Sequence, residues 1–460
     1  MTSLLQTASS FTFEKYYSPF DEKQVSNNNT SVIYPEYTDE LIIPVKDGYR
    51  IHIQGIANEG NTCYANALFQ GLASTNAFRE YLKTSLGDIN EIDNNNNNNN
   101  KNKKKKKKKK KHDKRINKYK NNMEHNMDTT KSLYEILKQL ETKVKKDDVE
   151  STNNMFNNIF GSQNNNINTD YCITDRIEKK HVKQFLKNFK KFDFKVHQQN
   201  DSFELLQGIF EILDDLEQQA VKDNVKKYIK KKSQEDNNDN DNNKEKGNDY
   251  QSVNPLGINE VDIRQCSNCN NITSDKLQPS CYLSVDLNND KMNFSMKNFV
   301  GGNLPKNVDD CLGQYFAKES IEGYQCDKCK TIANVSKYRR LASTPTILTV
   351  HFNRRMGSHI ITDKIEFDKT ILKLKDEWMI DSLKNNNNNN KIKKRYRLKS
   401  IIKHIPFTSG GGHYISYRYV CDGIKSRWIE ANDDSLKEID FNDDIKECVA
   451  YMAFYERVDR

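Results

Sequence analysis

The sequence predicts an α+β fold, with helices gathered in the first half and strands in the second. Apolar residues recur at helical spacing early in the chain, as Leu68, Leu72 and Phe78, then as Phe203, Leu206, Phe210 and Leu213. Short β-branched and aromatic runs dominate later: Tyr282 to Leu287, Thr346 to Phe352, Tyr396 to Ile402, His413 to Val420 and Ala450 to Tyr455. Helices followed by strands argue for α+β, and no internal repeat is visible.

Taken in order, residues 1–49 read as an N-terminal extension with one apolar stretch, Glu40 to Val45, that suits a strand. A buried helix is expected from near Cys63, carrying Asn66 to Tyr81. Residues 88–125 hold the run Asn94 to Asn100 and then Lys103 to Lys111. With almost no apolar surface to offset its ordering entropy, this segment reads as a disordered insertion. Helices are expected over 129–145 and 178–218, and a second charged, Asn-rich insertion over 222–250. Strands follow over 255–353, a third Asn run spans Asn385 to Asn390, and strands close the chain, Trp428 to Ile429 among them.

Apolar residues make up only 35% of the 460, but the deficit sits in these tracts, so the rest can bury a core. The net charge is +9, and the nine consecutive lysines of Lys103 to Lys111 account for all of it. A nucleic-acid partner is therefore not expected. The lysine run reads as a solvated surface loop, with a nuclear-import signal as the alternative. The start, MTSLLQTASSFTFEKYY, does not read as a secretory leader, and nowhere do 18 apolar residues run together, so no membrane span is expected. Ten cysteines, four of them in two Cys-x-x-Cys pairs, suit a reducing compartment. A soluble cytoplasmic protein, or a nuclear one, is the expectation; the oligomeric state is left open.

Four clusters carry chemistry. The first is GIANEGNTCYANALFQ, Gly55 to Gln70. Cys63 stands just before the expected helix, whose N-terminal partial charge and free N–H groups favour a nucleophilic thiolate. Gly55 and Gly60 allow close backbone approach. The Asn58 amide, five residues upstream, can donate to a developing oxyanion, a bond typically worth ~3 kcal/mol in a transition state. A lone cysteine here would more often be a buried structural one. The second is GGGHYISYRY, Gly410 to Tyr419, where glycines lead into His413 on an expected strand. His413 suits a general base and then a general acid; His404 lacks the glycine lead-in. A third group should accept the other imidazole N–H, and Trp428 is followed by Ile-Glu-Ala-Asn432-Asp433. Asn432 holds a tautomer without adding charge, and Asp433 shares the role or polarises the site. A plain Asn-Asp turn is the alternative.

The third cluster is QQNDSFE, Gln198 to Glu204, in which Asp201 and Glu204 share one face of an expected helix. By residue type alone it is an ordinary solvated face. The fourth is Cys266-x-x-Cys269 with Cys326-x-x-Cys329. Four thiolates close a tetrahedral Zn2+ site with no open position, hence a structural one; redox pairs or free thiols are the alternatives. Cys172, Cys281, Cys311, Cys421 and Cys448 have no pairing pattern.

The first box closely resembles the cysteine signature of the ubiquitin-specific proteases, Gly-Leu-x-Asn-x-Gly-Asn-Thr-Cys-Tyr-x-Asn, with Ile56 for the leucine. The second resembles their Gly-His-Tyr-x-x-Tyr box, and QQNDSFE their Gln-Gln-Asp-Ala-x-Glu box. The resemblance covers roughly residues 50–457, apart from the insertions. It implies one papain-like catalytic domain: a helical thumb, β fingers tipped by the structural zinc, and a β palm to which ILTVHFNR, Ile347 to Arg354, would belong. It implies Asn58 as oxyanion support, Asn432 as the residue orienting His413, and Asp201, Glu204 and Tyr414 as contacts for the basic tail of ubiquitin. It implies a thiol protease acting after the C-terminal glycine of ubiquitin. A catalytically silent ubiquitin-binding scaffold and a protease for another ubiquitin-like modifier are the alternatives. QGLASTNAF and FYERV are similar to a membrane-anchored mitochondrial branch of the family, but no anchor or matching serine is found, so location and linkage preference do not transfer.

Overall fold

The computed structural model describes residues 49–58, 60–86, 112–145, 171–177, 179–189, 194, 198–235, 254–287, 305–356, 359–367, 370–381, 395–407, 411–421 and 426–458. The first helix, α1, is Cys63–Ala73, and all eleven of its residues are buried, as suits a helix through the core. The single helix expected to reach Tyr81 breaks at 74–75. There Ser74 and Thr75 turn their N–H groups back onto Gly71 and Leu72, and the Thr75 hydroxyl donates to Leu72 O at 2.7 Å. A second helix, α2, covers 76–86, its Ala77 N–H capped by Glu456 Oε1 at 2.7 Å.

Two further expectations change. Helix α3, His112–Leu140, begins inside the segment read as a disordered insertion, and Met123 packs on the core beneath it. It stops short of 145, because Glu141–Lys145 is a strand paired with Tyr49–Ile56. The helix expected over 178–218 is two, α4 (Lys179–Asn188) and α5 (Ser202–Glu235), and the second runs well into the 222–250 tract. The Glu40 to Val45 strand, the Asn94 to Asn100 and Lys103 to Lys111 runs, and the Asn385 to Asn390 run lie outside the described residues. Helix α6 is Val308–Tyr315.

The strands are β1 Tyr49–Ile56, β2 Glu141–Lys145, β3 Tyr171–Ile177, β4 Ile258–Cys266, β5 Ile272–Ser274, β6 Gln278–Ser280, β7 Leu283–Asp286, β8 Glu319–Gln325, β9 Ile332–Leu341, β10 Ile347–Asn353, β11 Ile371–Lys373, β12 Arg395–Pro406, β13 Gly412–Cys421, β14 Ser426–Asn432, β15 Ser435–Ile439 and β16 Ala450–Arg457, with shorter bridges between. The large sheet runs β15-β14-β13-β12-β16-β10-β7, with β11 on the side of β12; this is the palm. A second sheet, β5-β4-β9-β8 with β6 on β4, forms the fingers, and β2-β1-β3 a third. One apolar cluster joins α1 to α5 onto one palm face through Ile402, Tyr414, Met452 and Phe454. A second fills the other face around Leu348, Val350, Phe352, Trp378 and Tyr455. The result is the expected α+β arrangement of thumb, palm and fingers. Among the described residues no helix is long and apolar enough to cross a membrane.

Arg418 on β13 lies at the seam between α1 and the palm and is 0% exposed. Its guanidinium donates to Glu141 Oε2 at 2.8 Å and Gln70 Oε1 at 2.6 Å. Burial by itself would raise the Glu141 carboxyl, but Arg79 and Arg418 outweigh it and hold the group below its usual range. Arg418→Ala removes one of the two guanidiniums that hold Glu141, Arg79 remaining at 3.0 Å, and leaves Gln70 Oε1 without that donor; it is expected to cost about 3–5 kcal/mol in denaturant unfolding. A loss under about 1 kcal/mol would mean that the pair contributes no more than an exposed one.

Candidate active site

Three short stretches meet at the N-terminus of α1. Strand β1 delivers Asn58 from one side, and the β14–β15 turn delivers Asn432 and Asp433 from the other. They are joined where Ile56 N–H donates to Asp433 O at 2.9 Å. This approach requires glycine at 55, since a Cβ there would sit 2.6 Å from the Asp434 backbone. Asp433 takes a positive φ of 54°, the left-handed geometry that aspartate tolerates in turns. Its carboxylate accepts from Asn58 Nδ2 and from Asn66 Nδ2, each at 2.8 Å. Asn58 Oδ1 in turn accepts the Thr62 N–H at 3.1 Å, so Asn58 caps the turn into the helix that carries Cys63.

Cys63 is the first residue of α1 and is 5% exposed. His413 lies on β13, which packs along α1. The Cys63 side chain is near enough that its interaction with His413 is the largest cause pushing the imidazole up to about 9. Burial opposes the shift, while Asn432 and Asp433 add to it. The ring Nε2–H donates to Asn432 Oδ1 at 2.7 Å, which leaves Nδ1 for the sulfur. Asp433 Oδ2 is 3.9 Å from the same Nε2, beyond hydrogen-bond reach. Between the two orienting candidates, the geometry places Asn432 on the ring and Asp433 beneath Asn58 and Asn66. His404 faces Tyr414 in the sheet register, and burial lowers its pKa.

Asp201 and Glu204 do not share a helical face. Asp201 precedes α5 as its cap: Oδ1 accepts from Phe203 N at 2.7 Å and Glu204 N at 3.3 Å. Its Oδ2 accepts the hydroxyls of Tyr414 at 3.2 Å and Tyr451 at 2.6 Å. Both oxygens are thus engaged within the fold, and Tyr414 is buried rather than displayed. Glu204 stays exposed on the first turn. Partial desolvation of its carboxyl and then the nearby Asp201 charge raise its pKa, and Arg355 lowers it.

At the far end of the fingers the two cysteine pairs form matching turns. Asn270 and Lys330 take φ of 54° and 57°, and donate back to Cys266 O and Cys326 O at 3.0 and 2.8 Å. Sulfurs lie 3.9 Å apart for Cys266 and Cys329 and 3.7 Å for Cys269 and Cys326, and all four fall within 4.8 Å of one another. A tetrahedral ion with bonds of ~2.3 Å requires sulfur edges of ~3.8 Å, so these thiolates fit a metal. Burial pushes the thiols of Cys281, Cys311 and Cys448 up, which marks them as inert packing groups.

Sequence reasoning missed three polar residues here. Asn66 stands in the cysteine box itself, and its spacing from Cys63 was the signal. Gln199 stands in QQNDSFE, where the acids Asp201 and Glu204 carry the stronger signal. Tyr451 carries no local signal at all.

The profile of the ubiquitin carboxyl-terminal hydrolase family matches residues 54–455. Over 201 residues the chain is 24% identical to Ubiquitin carboxyl-terminal hydrolase 19 of Arabidopsis thaliana, covering 42% of this chain and 26% of that protein. Over 191 residues it is 27% identical to Ubiquitin carboxyl-terminal hydrolase 10 of Rattus norvegicus, covering 40% and 22%. The matched region thus spans about a quarter of the length of these relatives. Among solved structures, the SAGA Ubp8/Sgf11/Sus1/Sgf73 DUB module bound to ubiquitin aldehyde superposes with a TM-score of 0.53 at 18% identity, over 88% of this chain and 70% of that one. A variant form of the same module bound to monoubiquitin gives 0.52 at 17%, over 88% and 69%. At such identity the likeness speaks for the fold alone. With the profile spanning nearly all of the chain beyond its N-terminal extension, the chain belongs to the ubiquitin carboxyl-terminal hydrolase family.

Proposed function

We propose that the protein is a thiol-dependent deubiquitinase that hydrolyses the isopeptide or peptide bond after the C-terminal glycine of ubiquitin. The observation that carries this reading is that Cys63, at the N-terminus of α1, stands beside His413, whose far ring nitrogen is held by Asn432 at 2.7 Å. Cys63 Sγ attacks the glycine carbonyl carbon while His413 holds the thiol proton. The oxyanion meets the N–H groups at the start of α1 and the second Nδ2 hydrogen of Asn58, the first being held by Asp433. His413 then gives its proton to the departing lysine amine, leaving a thioester on Cys63. Water attacks that thioester, with His413 as base, and releases the ubiquitin carboxylate.

The ubiquitin tail runs between thumb and palm, where exposed Glu204 is the acid free to meet an arginine. Asp201 and Tyr414, bonded to each other behind it, are the other two candidate contacts for the tail. The four fingertip cysteines hold one structural Zn2+, which stiffens the sheet above the bound ubiquitin. A cytoplasmic or nuclear location suits the reduced thiols this chemistry needs.

A ubiquitin bearing a C-terminal electrophile tests the reading. The wild-type chain is expected to gain one ubiquitin, with the adduct at Cys63 in a peptide map. A folded, zinc-loaded sample that stays unlabelled would favour a silent ubiquitin-binding scaffold. Labelling only by a probe built on another modifier would redirect the substrate.

A further inference from the structure

The strand that carries His413 starts with an open edge. Strand β14 pairs with β13 only from Ser416 onward, so among the described residues no strand of the sheet flanks Gly412 on that side. On the other side Gly412 faces Pro406, which has no N–H to give. The neighbouring bond there is Phe407 N–H to Gly411 O, 3.1 Å, and bonded and unbonded pairs alternate along antiparallel strands. The N–H and C=O of Gly412 therefore point away from β12.

Gln199 takes both. Its Oε1 accepts from Gly412 N–H at 3.3 Å and its Nε2 donates to Gly412 O at 3.2 Å. A carboxamide offers the donor and acceptor of a peptide group, so one side chain substitutes for a missing strand. Glycines permit this approach from both sides. A Cβ on Gly411 would lie 1.8 Å from Gln199 Oε1, and one on Gly412 would lie 2.2 Å from His404 Nε2. Two residues after Gln199, Asp201 accepts the Tyr414 hydroxyl at 3.2 Å. Both chain neighbours of His413 are thus tied to one thumb segment, 199–201.

We propose that Gln199 is a positioning residue for His413, fixing the imidazole through the backbone of Gly412. This gives the Gln-rich box a task separate from recognising the ubiquitin tail: it locks thumb to palm at the base. The turnover arm of the proposal rests on the deubiquitinase reading; the geometric arm does not.

The test uses the full zinc-loaded chain carrying Gln199→Met, which keeps the side chain's length and loses both hydrogen bonds. Turnover is followed with ubiquitin bearing a fluorogenic C-terminal amide. The His413 ring is titrated by NMR, its resonance assigned through His413→Ala. Misplacing a catalytic group by about 1 Å costs on the order of 10²-fold, so kcat should fall by about 10- to 10²-fold while KM stays within about twofold. The imidazole midpoint should move from about 9 toward its ordinary value of about 6.5 as the Cys63 contact loosens. A rise in KM alone would make Gln199 a substrate contact, and an unchanged or faster rate would make it dispensable or a plug; each overturns the proposal. Should wild type itself fail to turn over, the deubiquitinase reading falls. The ring titration then still decides, because an unmoved midpoint in Gln199→Met overturns the positioning role. If the methionine variant does not fold, Gln199→Glu replaces it in the turnover assay. It keeps the acceptor for Gly412 N–H but sets an oxygen against Gly412 O, and a wild-type rate there also overturns the proposal.

Discussion

His413→Ala is expected to lower kcat/KM on ubiquitin amides by roughly 10⁴-fold, the upper end for a general acid–base residue. The figure is high because one ring serves three steps: holding the thiol proton, protonating the amine and activating water. The imidazole is pushed up to about 9 chiefly by its interaction with Cys63, against burial. The cation therefore persists across neutral pH, and kcat/KM of the wild type should fall on the alkaline side with a midpoint near that value. A stability signature accompanies it. A folded-state pKa raised above the ordinary ~6.5 contributes stability that is complete below that value and vanishes as pH rises through the folded midpoint. Denaturant midpoints of wild type and His413→Ala should thus differ most in mild acid and converge in alkali. A pH–rate series from about 5 to about 10 reads the first effect. An alanine variant keeping a tenth of wild-type activity would remove His413 from the mechanism.

Cys326→Ser should cost the protein its metal and the order of its fingers together. The sulfurs of Cys269 and Cys326 lie 3.7 Å apart in the turns that follow β4 and β8, and it is the far ends of β4 and β9, Ile258 and Leu341, that pack into the palm cluster. The tip has little apolar packing of its own, and Ile332 is 76% exposed there. Metal binding in such modules is folding free energy, commonly ~10–16 kcal/mol, so the tip sheet has nothing of comparable size to replace it. Elemental analysis should find one zinc per wild-type chain and none in the variant. Hydrogen exchange should rise steeply over 258–274 and 319–341 while 395–407 and 450–457 stay protected. KM for ubiquitin should climb by about tenfold or more, with smaller change in kcat, since the reacting groups lie in the palm and thumb. A metal-free variant with protected fingers would show that the sheet folds by packing alone.

The fold class and the candidate reacting groups are legible along the chain because their signals are local. Helical spacing around Leu68 and Phe210, β-branched runs such as ILTVHFN, and paired cysteines each reflect the conformation of a few neighbouring residues. Helix limits were less legible. The break at Ser74 and Thr75 is made partly by Glu456, almost four hundred residues away, and Glu141 is a strand residue because β1 lies beside it. No window along the chain contains those partners.

Residue types along the chain already mark where the chemistry lies: a thiol at a helix start, an imidazole behind glycines, an amide five positions before the thiol and two pairs of cysteines. Tertiary structure decided how that chemistry is divided. Asn432 and Asp433 are adjacent, yet a left-handed turn sends one to the ring and the other to Asn58 and Asn66. Asp201 and Glu204 looked equivalent, yet one is consumed by a helix cap and two tyrosines and the other faces water. A hydrogen bond has one direction and a reach of about 3 Å, so its partner is fixed only when distant strands come together.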